Sequence, residues 1–481
     1  MSSAAQVQEA SLRKELGLWD LALAQVLCVV GSTWVGVAAK LGRAHVAYWL
    51  GAMLLFYVPL AVVVIYLNRL MPLEGGLYQW AKAGFGEMAG FLTAWNLWVY
   101  AVIVMGAIVF VVPTDLAYMI GVSAAWLPAS KAATLALTGS VIVGITIVAV
   151  RGLNLGKWIH NGGSVMMLTA YAILLGLPIW ALLRGAIPRF DAVPWQAPRP
   201  SWFGVAIFGQ MAVGALSGFE YVAILAGECR SAARTIGQSV LISAPVIALL
   251  FILGTSSVLT FVGDRPINVI GPIPQTMVLA LGTTGAASWA ASVGIFLLMA
   301  RAVGASSLIF TGLTRLPMTA GWDHLLPAWF TRLHPRWRTP VNSILFVAAL
   351  TLALVLLSML GVREQEASQL LGASSIALYA IAYIGLFALP LFGTVAFRAG
   401  LPAWVRFVSA AGLASSLVAL AITVYPIVDV VSPASYAAKI GSVVVIANLV
   451  GLGIYYAGRA RARRFSTQVS LSASTKGKID V

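Results

Sequence analysis

Charge is scarce in this sequence. Asp, Glu, Lys and Arg make up 9% of its 481 residues, where a soluble globular chain carries about a quarter. With 60% of the residues hydrophobic, that scarcity excludes one or several ordinary soluble domains. Cysteine is nearly absent as well. Cys28 and Cys229 form neither a disulfide framework nor a metal-ligand spacing, and both read as small buried or interfacial side chains. The motifs of soluble catalysis are missing: no HExxH, no GxSxG, no phosphate loop and no spaced Cys/His cluster. Gly84-Phe85-Gly86 is half a dinucleotide fingerprint with no strand before it, and reads as a turn. The expectation is therefore no enzymatic activity, no cofactor and no resident metal. Acidic residues are outnumbered, 15 against 30 Lys and Arg. The basic surplus falls between apolar runs rather than among aromatics on a polar face, which argues against a nucleic-acid partner. The first fifteen residues are polar and lack the three regions of a signal peptide, so the first apolar run is expected to stay as a membrane helix.

What the sequence has in abundance is long apolar runs. They fall at about 17–40, 46–70, 89–112, 132–150, 159–183, 202–227, 238–262, 286–313, 341–360, 370–396, 404–428 and 437–458. A bilayer-spanning helix needs about 20 mostly apolar residues, so twelve transmembrane helices are expected, with the lipid bilayer as surroundings. Twelve spans put both termini on one side. Twenty Lys and Arg fall on that side and nine on the other, which places both termini in the cytoplasm. Arg301 belongs to neither side, because it lies midway along the eighth run. The expected organisation is a cytoplasmic segment at 1–15, one transmembrane domain at 16–460 and a disordered, basic then Ser/Thr-rich tail at 461–481. Residues 71–88 mix charge with aromatics and suggest a short interfacial helix.

Two runs are interrupted by small residues near their middles: Gly31-Ser32-Thr33-Trp34-Val35-Gly36 in the first and Gly214-Ala215-Leu216-Ser217-Gly218-Phe219-Glu220 in the sixth. Unpaired backbone groups in lipid cost several kcal/mol each, so a break is tolerable mainly where the freed groups face a polar ligand or a water-filled cavity. Small residues that merely allow close helix packing are the plainer alternative. Interruptions five helices apart, in corresponding places, instead match transporters built from two inverted five-helix repeats.

The stretch Met71-Pro72-Leu73-Glu74-Gly75-Gly76-Leu77-Tyr78, continuing through Gly90-Phe91 to Trp95 and Trp98, resembles the signature after the second helix of amino acid–polyamine–organocation permeases. Gly218-Phe219-Glu220 with Gly227-Glu228 and Arg234 resembles their sixth helix and its exit, including the branch of amino acid permeases and glutamate–GABA antiporters. Leu316-Pro317, Asp323, Leu326-Pro327 and the segment from His334 to Pro340 resemble the loop after their eighth helix. The resemblance implies an all-α polytopic protein of the leucine-transporter fold: inverted repeats at about 16–185 and 200–397, helices 1 and 6 discontinuous, and helices 11 and 12 appended at about 404–458. Two departures stand out. Thr33 and Trp34 follow Gly31-Ser32 where the family usually has a second glycine, and Ser231-Ala232-Ala233 replaces its usual Asn-Pro.

The resemblance implies a substrate site at the two breaks, with Gly31, Ser32, Thr33 and Trp34 from the first helix and Ser217, Gly218 and Phe219 from the sixth. Ionisable residues inside a membrane are functional candidates by default. Glu220 reads either as a proton-sensitive gate or ammonium contact, or as an acceptor for freed backbone N–H groups; Glu228 reads as a gate partner for a basic residue. Arg301 needs a resident carboxylate such as Glu220, or else a carboxylate on the substrate. Some proton-coupled relatives place a lysine of the fifth helix where sodium-driven members hold a cation, and Lys157 roughly fits that position, with His160 one turn on. Ser306 and Ser307 resemble the paired hydroxyls of the sodium site, and Lys157 is preferred to them. The expected function is a secondary active transporter, a proton-coupled symporter or exchanger, moving amino acids or related amines across the cytoplasmic membrane. A sodium-coupled amino acid symporter and a non-transporting solute sensor are the alternatives. The sequence leaves the solute and the oligomeric state open.

Overall fold

The computed structural model describes residues 17–71, 76–151, 153–218, 232–319 and 325–476. All regular structure among them is helical. The first run is broken into α1 (Leu18–Val29) and α2 (Ser32–Ala39), which meet at 46°. It is followed by α3 (Gly42–Leu70), a short α4 (Leu77–Phe85), α5 (Glu87–Ile120), α6 (Lys131–Arg151) and α7 (Leu153–Leu183). The second half begins with α8 (Trp202–Ala215), α9 (Ala232–Val262), a short α10 (Pro272–Leu281), α11 (Ala286–Thr319), α12 (Val341–Ser358) and α13 (Glu364–Phe392). Last come α14 (Ala403–Ile422) and α15 (Pro433–Lys476). Ten of these helices are long and apolar enough to cross a bilayer, and the bent α1–α2 pair makes an eleventh span. The expected twelfth, the sixth run, is described only as far as Gly218.

The packing carries the internal repeat. The most extensive helix pairings are α7 with α11 and α5 with α13. In run order these are the fifth with the eighth and the third with the tenth, so advancing each by five exchanges one pairing for the other. The short helices obey the same rule, α4 after the second run and α10 after the seventh. In corresponding places, the first run breaks at Val30-Gly31 and the sixth leaves its helix at Leu216–Gly218. Apolar burial does not drive helices together in lipid, where tails are as apolar as leucine. Close packing and internal polar contacts do so instead. Asn96 of α5 and Asn448 of α15 exchange amide hydrogen bonds at 2.9 and 3.1 Å, and the Trp95 indole N–H donates to the Ala447 carbonyl at 2.7 Å.

Three features differ from the sequence expectation. The third run continues beyond residue 112 to Ile120, because Pro113 sits in the first turn of a helical segment, where its missing N–H costs nothing. The last helix continues to Lys476 instead of giving way to a tail at 461; its Arg-Ala-Arg-Ala-Arg-Arg stretch is made of good helix formers. Within α3, residues Met53–Tyr57 form a π-helical turn just before Pro59. The interfacial helix expected within 71–88 is α4, whose buried Tyr78 hydroxyl is pushed up to about 12 by burial, with Glu87 and Tyr455 adding to it.

Candidate functional site

A break in a helix frees backbone groups at both new ends. The Val30 N–H closes α1 onto the Val26 carbonyl at 2.9 Å, and Gly31 then turns extended at φ −108° and ψ 138°. No side chain caps α2, so its first N–H groups, with the positive end of its dipole, point back at the break. The sixth run opens differently. Residues Gln210–Ala215 wind as a π-helix, the Leu216 N–H reaches back to the Met211 carbonyl at 3.1 Å and ends it, and Gly218 beyond lies in the left-handed region at φ 111°. Short π-helical stretches of this kind recur at functional sites. The Ser217 hydroxyl donates to the Val213 carbonyl at 2.6 Å and caps the loosened turn.

These two ends lie together. A Cβ built on Gly218 would meet Cys28 Cβ at 3.6 Å, so the sixth-run break abuts the end of α1. Beside them is a cavity of about 90 Å³ lined from α1, α2, α5, α8, α11 and α13. Of the residues expected at a substrate site, Gly31, Ser32, Thr33, Trp34 and Ser217 line it; Gly218 does not, and lies instead against Cys28. Trp34 is wedged across the breaks: a Cβ on Gly31 would lie 2.8 Å from its Cδ1, and one on Gly214 would lie 2.6 Å from the far edge of its ring. Phe219, Glu220 and Glu228 lie outside the described residues. Lys157 lies within α7, but its side chain is not among those described.

Arg301 lines the same cavity and is 6% exposed. Its Nη2 donates to the Leu27 carbonyl at 3.4 Å, at the freed end of α1, and its Nε has no partner. The ion pairs among the described residues are Arg43–Asp191 and Lys82–Glu87, and neither involves Arg301. Ser306 and Ser307 are buried on the next turns of α11. The Ser306 hydroxyl has no partner, and neither serine lines the cavity.

Several polar cavity residues were not singled out by sequence. Gln210 and Gln369 are each 4% exposed, and Gln369 Oε1 lacks a partner. Tyr100 stacks on Tyr379 with ring centroids 3.6 Å apart. One helical turn from the cavity-lining Val111 and Ser368 lie two further acids, Asp115 and Glu364, and the Thr114 hydroxyl donates to Glu364. Asp115 is 2% exposed, so Glu220 is not the one acid available inside the bundle. The signal was present in each case: a glutamine or acid within an otherwise apolar helix. At one end of the bundle Lys40, just past α2, donates from Nζ to the Ile427 carbonyl at 2.8 Å. Burial there lowers its ammonium from the usual lysine value, and Asp429 partly opposes the shift.

Cys28 offers a direct probe of this cavity. In a Cys229→Ser background, a saturating substrate is expected to slow maleimide labelling of Cys28 severalfold. Labelling unchanged by every transported solute would separate the substrate site from the cavity.

Comparison with known proteins places this geometry. The family profile described as amino acid permease matches residues 16–449. An uncharacterized transporter of Legionella pneumophila is 24% identical over 335 residues, 69% of this chain and 71% of that one. The "Probable agmatine/putrescine antiporter AguD" of Lactococcus lactis is 24% identical over 336 residues, 68% of each chain. The branched-chain amino acid permease BcaP of Bacillus subtilis is 23% identical over 372 residues, 72% of this chain and 76% of that one. Among solved structures, MhsT in complex with L-phenylalanine superposes with a TM-score of 0.55 at 15% identity, over 85% of this chain and 98% of that one. That likeness shows the leucine-transporter fold.

Proposed function

The chain belongs to the amino acid permease family, and from that premise we propose that it carries an amino acid or related amine across the cytoplasmic membrane, with both termini on the cytoplasmic side. Membership of a permease family makes it a multi-pass membrane transporter and not an enzyme. The observation that carries the proposal is the meeting of the α1–α2 break and the end of α8 at one cavity deep in the bundle. The N–H groups at the start of α2 suit a carboxylate, and the acceptors of Ser217, Gln210 and Gln369 suit an ammonium. Trp34 and Phe219 close over the bound solute, and one repeat rocks against the other around a fixed site.

Coupling to protons, or exchange of one solute for another, fits better than sodium drive. The sodium reading draws on the buried, unpartnered Ser306 hydroxyl and its neighbour Ser307. Arg301 stands five residues earlier, roughly 7.5 Å along the helix axis. A resident guanidinium so near raises the cost of a second cation. Lys157 remains the proposed proton carrier.

Proteoliposomes in which internal solute, pH gradient and sodium are varied separately test both parts. Uptake of an amino acid or amine is expected to respond to the pH gradient or to internal solute, and not to sodium. Absence of transport for any amino acid or amine would defeat the proposal. Lys157→Ala is expected to lose the response to the pH gradient while solute exchange persists. Sodium dependence with no pH response would transfer the coupling role to Ser306 and Ser307.

A further inference from the structure

We propose that Arg301 is the carboxylate-binding residue of the transport cavity, so that the solute carries a carboxylate and dicationic diamines lie outside its range. This inference rests on the transporter reading above and deepens it by naming the substrate class. A guanidinium has five N–H donors and keeps its charge at every accessible pH. Placing one inside a membrane protein is costly unless an opposite charge or several acceptors answer it. Arg301 is 94% buried, counting its 6% exposure. Among the described residues it has one hydrogen bond, the long one to Leu27, and Nε goes unanswered. The carbonyl end of α1 supplies partial negative charge. Asp115 acts on it only from beyond ion-pair distance.

The position of the guanidinium shows what is missing. A Cβ on Gly31 would lie 3.9 Å from Arg301 Nη2. The charge therefore borders the same break toward which the uncapped N–H groups of α2 point. Two independent donor sets, one from the main chain and one from a side chain, converge on one end of the cavity. Both demand an anion. Gln369 lines the same cavity, and its unpartnered Oε1 demands a donor. A zwitterion answers both demands. A diamine brings two further positive charges to a cavity whose described lining holds one charge, Arg301, and it leaves the guanidinium unanswered.

The test uses the full-length protein in proteoliposomes with labelled glutamate, leucine, putrescine and agmatine. For each amino acid that moves, the matching decarboxylated amine and carboxamide are offered as competitors. Wild type is expected to bind the amino acid about tenfold to a hundredfold more tightly than either carboxylate-free analogue, the range of a charged hydrogen bond. Arg301→Gln is expected to collapse that ratio, and Arg301→Lys to retain part of it. A purely structural role would lower expression and leave the ratio intact, so an intact ratio in Arg301→Gln overturns the inference. If Arg301→Gln does not fold, the wild-type analogue panel and Arg301→Lys decide. Transport of putrescine or agmatine as readily as any amino acid overturns the inference and leaves the transporter reading standing. Transport of nothing defeats both.

Discussion

Gly304→Val is expected to abolish recovery of a folded, monodisperse protein. A Cβ on Gly304 would sit 3.0 Å from the Gly163 Cα and 3.1 Å from the Ile159 carbonyl oxygen. Both neighbours are main chain of α7, so no rotamer change relieves the clash. The two helices must part along the most extensive pairing in the bundle. Overpacking against mobile side chains costs about 1–3 kcal/mol; against backbone, with two branched carbons more, the cost exceeds that range. Parting the helices also carries Arg301, one turn from Gly304, away from Leu27 and Gly31. Gly162→Ala is the matched control, since a Cβ there meets nothing within 4 Å. Size-exclusion profiles and melting curves in detergent check the pair. A Gly304→Val protein that elutes and melts like wild type would show that the close approach is dispensable.

The Gly163–Gly304 contact also marks the limit of what the sequence reveals. Apolar runs are local signals, so nearly every spanning helix was legible from length and composition alone. The two breaks were legible because glycines and a Gly-Ser pair interrupt runs that otherwise hold together. Helix contacts are not local. Gly163 and Gly304 are unremarkable in sequence and become a close backbone contact only when α7 meets α11. Gln210 and Gln369 are 159 positions apart and share a cavity only because the sixth and tenth runs converge. Arg301 is conspicuous as a charge in mid-run, yet its place beside the Gly31 break depends on the packing of α11 against α1. The carboxylate sought for it by sequence, Glu220, lies outside the described residues. Asp115 escapes the sequence pattern because the apolar run ends at residue 112, and a proline in the first turn of a helix reads in sequence much like one that ends it. The same local bias hid the length of α15: positive charge signals a membrane exit, whereas alternating Ala and Arg favours continued helix.

Gly31→Val is expected to abolish substrate binding, by more than about a hundredfold, in a protein that still folds. The backbone at Gly31, at φ −108° and ψ 138°, lies in the extended region that β-branched residues favour, so valine adds no main-chain strain there. The cost falls on Trp34. A Cβ would stand 2.8 Å from Trp34 Cδ1 and 3.0 Å from Nε1. The indole cannot retreat toward the sixth run, because its far edge already rests against Gly214, where a Cβ would meet it at 2.6 Å. It must turn into the cavity, and the valine methyl groups shield the N–H groups at the start of α2. Both effects remove the carboxylate end of the site and leave the helix pairings of the bundle in place. Binding of a transported amino acid by scintillation proximity, beside a melting curve, separates the two contributions: the expected outcome is lost binding with the melting temperature shifted by only a few degrees. Gly31→Ala, which adds the Cβ without the branch, is expected to fall between valine and wild type. Wild-type affinity in Gly31→Val would mean that the solute's carboxylate docks away from the α1–α2 break.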